Sequence, residues 1–122
     1  MNEPLRPDGT IGPDLTSVFL ESLPGLFFVY GPDGRLIRWN RNHSILTGYA
    51  AEELEGMHFL DYFREELHED VRAAVEDVLE RGFSMAEFTL RKKDGSEVPF
   101  LFTARRIDVD GRPGFCGHGI DL

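Results

Sequence analysis

Four histidines, at positions 43, 58, 68 and 118, and one cysteine, Cys116, are the side chains of this 122-residue sequence best suited to hold a metal. They are scattered, with no H-x-x-x-H pair, and a lone cysteine supplies neither an internal disulfide nor a multi-cysteine zinc site. The sequence also lacks a nucleophile elbow, a phosphate-binding loop and an acid pair in a convincing setting, so no catalytic residue is assigned. A basic cluster remains. Arg91, Lys92 and Lys93 precede Asp94-Gly95, where they read either as a cradle for an anion or as the solvent ends of two strands. A similar Asp-Gly signal stands in "GPDGR" at 31–35. A tight hairpin needs a residue that accepts positive φ, and glycine does so without strain, which accounts for both turns with no ligand.

The surroundings limit what such a cluster can mean. With 22 acidic against 13 basic side chains the net charge is −9, and most of the surface field repels a phosphate backbone, so no nucleic acid is expected as a direct partner. No run of 18 apolar residues is present, and "MNEPLRPDGTIGPD" has no apolar segment of the secretory kind, so direct membrane contact is not expected and a cytoplasmic, reducing location is. The length suits one small domain, and ten phenylalanines can fill its core.

The elements that would position these residues follow from punctuation and period. Residues 1–14, with three prolines and two glycines, should be loose, and 15–24 should hold a short amphipathic helix capped by Asp14 and stopped at Pro24-Gly25. "LFFVY" (26–30) and "LIRWN" (36–40) read as a hairpin. Short helical pieces interrupted at Gly48 and Gly56 come next, and then a long helix over 65–81, where Leu67, Val71, Ala74, Val75, Val78 and Leu79 form one apolar stripe. Beyond Gly82 the period falls to two, giving three strands joined at "KKDGS" and "DVDGRPG". Phe28 and Leu101 fall in alternation classes opposite to Phe27, Val29, Phe100 and Phe102, which are assigned inward. An outer sheet face carrying Phe28 and Leu101 would need cover, from the helix residues Leu15, Val18 and Phe19 or from a second subunit.

Across residues 25–122 the order "DGR", "WN", "LTGY", "EEL", Gly56, "HED", "RKKDG" and a final "GIDL" resembles a PAS sensory domain of the bacterial signal-transduction type. The resemblance implies an α+β fold, a five-stranded antiparallel sheet with short helices and one long helix on one face. It also implies a noncatalytic input module, usually homodimeric, joined to an output domain such as a histidine kinase, a diguanylate cyclase or a transcription-control domain. Asp121 falls at the junction where such domains pass their signal on.

The resemblance also suggests sites. A core cavity would draw on Phe27, Val29, Trp39, Asn40, Leu54, Met57, Phe59, Val71, Val75, Phe88, Phe100 and Phe102, unless these simply fill a solid core. Asn40 has a structural alternative, tying the strand end to the next helix. Glu53 facing Lys92 or Lys93 would make a salt-bridge latch. His68 in "LHEDV" can be laid over the axial histidine of haem-binding members, with Met85 opposite, although one histidine does not establish a haem site. The photoreactive flavin members need a cysteine at the start of the long helix, where this sequence has "MHFLDYFREELHED", so only a noncovalent flavin stays open. No bound cofactor is the simplest expectation.

Overall fold

The computed structural model describes residues 13–122, with side chains from residue 18 onward. Helix α1 (Pro13–Ser22) precedes strands β1 (Leu26–Tyr30) and β2 (Leu36–Trp39), and helices α2 (Arg41–Thr47) and α3 (Ala51–Leu54) follow. Two 3₁₀ turns, Phe59–Tyr62 and Glu65–Leu67, lead into helix α4 (His68–Arg81), after which come strands β3 (Phe83–Arg91), β4 (Glu97–Val109) and β5 (Arg112–Asp121). All but the last two residues of the loose segment expected at 1–14 lie outside the described residues. Those two already belong to α1, so Asp14 stands inside the helix and is not its cap.

The sheet is antiparallel with order β2-β1-β5-β4-β3. The two Asp-Gly turns solve one problem in one way. Gly34 and Gly95 adopt φ of 80° and 91°. In each turn the preceding aspartate's Oδ1 accepts a backbone N–H two residues on, Arg35 at 3.1 Å and Ser96 at 2.9 Å. The aspartates therefore serve the backbone, and the basic residues of 91–93 border a turn.

Helix α4 forms where the apolar stripe recurs at helical spacing, with Glu69 and Asp70 in its first turn and Arg81 in its last, each sign suited to the helix dipole. Val71 and Val78 are buried and place that stripe against the sheet. The inward face of β3 and β4 is the one the alternation assigned: Leu90, Phe100 and Ala104 are buried and Phe88 and Phe102 pack against them.

Strand β1 has the opposite phase from the one expected. Leu26, Phe28 and Tyr30 are buried in the core, while Phe27 and Val29 are half-buried on the other face. The cause lies on the neighbouring strand. Gly119 pairs with Leu26 and Gly117 with Phe28, so the inner side of β5 offers empty volume where β1 carries bulk. That volume is filled from both sides, since a Cβ on Gly119 would come within 2.8 Å of the Phe102 ring. Phe28 therefore leaves the outer-face set and joins the core.

Candidate functional site: an apolar cavity with one polar series

Between the sheet and α4 lies a cavity of about 80 Å³. Of the twelve side chains expected to line it, Phe59, Val71, Val75, Phe88 and Phe102 do so. Phe27 and Val29 are excluded by the phase of β1. Leu54 and Phe100 are buried in the core, and Trp39 and Met57 are partly buried against that core, none of the four on the cavity wall. In place of the missing residues the wall holds Leu26, Phe28, Tyr30, His43, Tyr62, Phe63 and Phe115, among others.

Asn40 is not on that wall either, and its bonds explain why. Its Oδ1 accepts from Phe27 N at 2.9 Å and from His43 N at 3.1 Å, and its Nδ2 donates to Leu20 O at 3.0 Å and Gly25 O at 3.2 Å. The amide is fully used and 1% exposed. One side chain thus caps α2 and ties it to β1 and to the end of α1. Arg41 N donating to Glu21 Oε1 and Asn42 Nδ2 donating to Leu23 O complete the attachment of α1.

The cap also positions the cavity's polar group. Three residues after Asn40, the His43 ring is 2% exposed. Its Nδ1 lies 2.9 Å from Phe27 O and its Nε2 3.2 Å from the Tyr62 hydroxyl. A carbonyl only accepts, so Nδ1 carries the proton and Tyr62 donates to Nε2. Burial, opposed only in part by the bond to Phe27, holds the imidazole down to about 4, so the ring is neutral at physiological pH. Burial likewise raises Tyr62 and Tyr30 above the ordinary phenol range. Sequence reading left His43 among scattered histidines. The three-residue spacing from Asn40 was the available signal, since an N-cap fixes the direction of the residue at that position.

Outside the cavity, Lys93 Nζ meets Glu53 Oε1 at 2.9 Å. Lys93 N also donates to Thr47 O, which seats the β3–β4 hairpin against α2. Bonds from Ala50 N and then Lys93 hold the Glu53 carboxyl below its usual range. Lys92 instead closes its own turn, its backbone N–H donating to Ser96 O. His68 Nε2 lies 3.0 Å from Phe63 O and the ring is not part of the cavity wall. Its bond therefore closes the approach to α4, and Met85, 58% exposed on the opposite sheet face, faces no such cavity. The cavity itself is far below the several hundred Å³ of a drug-sized ligand site, so neither haem nor a flavin fits it in this form.

The outer sheet face is apolar along its middle. Phe27, Val29 and Leu101 are half-buried, while Phe83, Met85 and Ile120 are exposed. The Arg105 guanidinium lies 4.9 Å over the Phe83 ring. Phe19 on α1 is 54% exposed and Val18 half-buried; the Leu15 side chain lies outside the described residues. Asp121 is exposed at the end of β5, opposite Phe100. Among the described residues there is no cluster of three metal-ligating side chains, and no helix long and apolar enough to cross a membrane.

Residues 20–122 match the family model described as PAS fold. Single-minded homolog 1-A of Danio rerio is 31% identical over 65 residues, covering 53% of this chain and 9% of that protein, so the chain spans a small part of that relative. The PAS domain of a protein from Colwellia psychrerythraea superimposes with a TM-score of 0.79 at 20% identity, covering 88% of this chain and 93% of that one. The PAS domain, in complex with ethanol, of a LuxR-family transcriptional regulator from Burkholderia thailandensis gives 0.70 at 15% identity, covering 86% and 95%.

Proposed function

The chain belongs to the PAS family, and on that premise we propose that it is the sensory input unit of a bacterial-type signalling protein in the cytoplasm, with chemistry left to a covalently joined output domain. The observation that carries this reading is the cavity between sheet and α4, whose wall is hydrocarbon except for a few oriented polar groups. That is the composition of a small-ligand site, where apolar surface gives affinity and one or two polar atoms give orientation. The ethanol held by the Burkholderia thailandensis domain agrees with a ligand of that scale. Occupancy would be felt by β5, whose Phe115 shares the wall and whose far end holds Asp121, the proposed junction. The Glu53–Lys93 pair would act as a clasp between α3 and the β3–β4 hairpin.

Native mass spectrometry of protein purified without denaturation, followed by extraction of small molecules, tests the reading. A stoichiometric neutral ligand supports it; reproducible absence across growth conditions, with no small molecule shifting the cavity's resonances, rejects it.

A second reading has its own observation. The apolar strip through Phe27, Leu101 and Ile120 suits a homodimer, in which the domain serves association alone. Sedimentation of protein shown by mass spectrometry to be ligand-free tests this reading, because an association module dimerises with an empty cavity.

A further inference from the structure

Outside the cavity, between the β1–β2 turn, α4 and the start of β5, lies a groove of about 270 Å³. Phe59, Val75 and Phe115 line both the groove and the cavity, so they form the partition between the two. They are held with unequal strength. Val75 stands on α4 between the buried Val71 and Val78, and Phe115 stands on β5, which is paired on both sides and keeps the ring 5% exposed. Phe59 is half-buried at the head of a four-residue 3₁₀ turn, the kind of short element that opens before a long helix or a central strand. A backbone bond from Phe59 N to Gly34 O, 3.1 Å, anchors the turn, while the ring itself is held by packing alone. It meets Tyr30 and Phe115 edge-on, with ring centroids 6.0 and 5.8 Å away, and on its groove side the His58 ring stacks on it at 4.4 Å. The Leu60 N–H donates to His58 Nδ1 at 3.1 Å, which leaves the proton of the neutral imidazole on Nε2.

Displacing the Phe59 ring joins two volumes that are each small. The cavity alone, about 80 Å³, is roughly half that of a cavity known to admit benzene. Joined to the groove, it reaches the lower end of the range for a whole organic ligand, roughly 300 Å³. The inner part is walled by Phe28, Phe63, Phe88 and Phe102, surfaces on which an aromatic ring packs edge-on or offset. The outer part carries Asp33, Glu76 and Arg72 beside His58, two carboxylates against one guanidinium, on a protein of net charge −9. An anionic head would meet that excess of negative charge, whereas a neutral N–H or O–H finds carboxylate acceptors.

We propose that Phe59 is the specificity-determining residue of the ligand site. In place, its ring limits the cavity to a few heavy atoms. Displaced, it joins cavity and groove into one site for an uncharged aromatic molecule, on the order of ten heavy atoms, with one N–H or O–H at its outer end. The proposal rests on the reading of the cavity as a ligand site.

Indole has this size and one N–H, indole-3-acetate adds an anionic head, and ethanol is the small reference. The full chain, labelled with ¹⁵N, is titrated with each while the amides of Phe28 and Phe102 report the cavity and those of Gly34 and Leu79 the groove. In the unaltered protein ethanol should shift the cavity amides alone, and indole should shift both sets along one saturation curve. Phe59→Ala should tighten indole binding about tenfold, because no ring has to be displaced first, and ethanol should gain no such advantage. Phe59→Leu, which keeps the turn packed, should give a smaller gain in the same direction. Indole shifts confined to the groove amides, in the unaltered protein and in Phe59→Leu alike, would overturn the joined site, while saturable ethanol binding would leave the cavity a ligand site. Equal indole affinity with and without the Phe59 ring would remove its part in selection. Indole-3-acetate binding as tightly as indole would overturn the ligand class. If neither ethanol nor indole shifts a cavity amide saturably, the sensory reading fails together with this one.

Discussion

Asn40 Oδ1 accepts a hydrogen bond from the backbone nitrogen of His43 at 3.1 Å, so the residue that starts α2 also aims an imidazole onto the cavity wall. The same oxygen binds Phe27 N, while His43 Nδ1 binds Phe27 O. The backbone N–H and C=O of one β1 residue are thus held by two side chains at the start of α2. Asn40→Ala leaves Phe27 N and two carbonyls short of partners in a buried place. The expected loss is about 2–4 kcal/mol, from one cap and more than one buried group left unpaired. Urea denaturation measures it, and a loss below about 1 kcal/mol would mean that water replaces the amide.

His43 also predicts a pH dependence. Its folded value of about 4 lies below the ordinary histidine value of 6.5, so between these limits the unfolded state binds more protons than the folded one. Stability therefore rises with pH through this window, is complete above about 6.5 and is lost as pH falls toward 4. The full swing is about 3 kcal/mol, before the carboxylates add their own loss at the acid end. Unfolding free energies measured from pH 4.5 to 7.5 should show this slope, and His43→Gln should flatten it. An unchanged slope in the variant would assign it to another group.

The two faces of β4 make opposite predictions for adjacent residues. Phe100 is 1% exposed in the core, and Phe100→Ala should cost about 3–5 kcal/mol with little effect on association. Leu101 points to the outer face beside Ile120. Leu101→Asp should weaken self-association while leaving the unfolding midpoint nearly unchanged. Sedimentation and denaturation on the two variants provide the comparison, and equal effects on both measurements would reject the outer face as the dimer surface.

The Glu53–Lys93 pair stands in solvent, with side-chain exposures of 39% and 53%. Opening it by Lys93→Ala should leave the denaturation midpoint almost unmoved, and added salt should erase any difference that remains. Its value as a clasp is instead tested by hydrogen exchange. The amides of α3 and of the 92–96 turn should exchange faster together in the variant, whereas independent behaviour would reduce the pair to ordinary surface charge.

The fold was legible wherever one period dominated. The stripe of α4 and the alternation of β3 and β4 each have polar residues marking the far side, so both element and face could be read. "LFFVY" has no such mark. Five apolar residues in a row give a strand but no phase, and Phe28 was set outward because nothing in β1 itself chose between faces. The deciding information was tertiary: Gly117 and Gly119, ninety residues away, leave room on only one side. The polar series was hidden for a related reason. Tyr30, His43 and Tyr62 sit in three separate elements with no shared spacing, and only the folded backbone brings them onto one wall.

The pairing of Leu26 with Gly119 also has a mechanical consequence. β1 and β5 are antiparallel neighbours, so the point where the path enters the sheet lies beside the point where it leaves. A force applied across residues 25 and 121 would not load the ladder in shear, with all its hydrogen bonds sharing the tension. It would peel the seam open from the Leu26 end, one pair at a time, and each break would pass the load to the next. Phe28 and Gly117 lie only two pairs along that seam, so even a small tug on either terminus would reach the cavity wall before it disturbed α4.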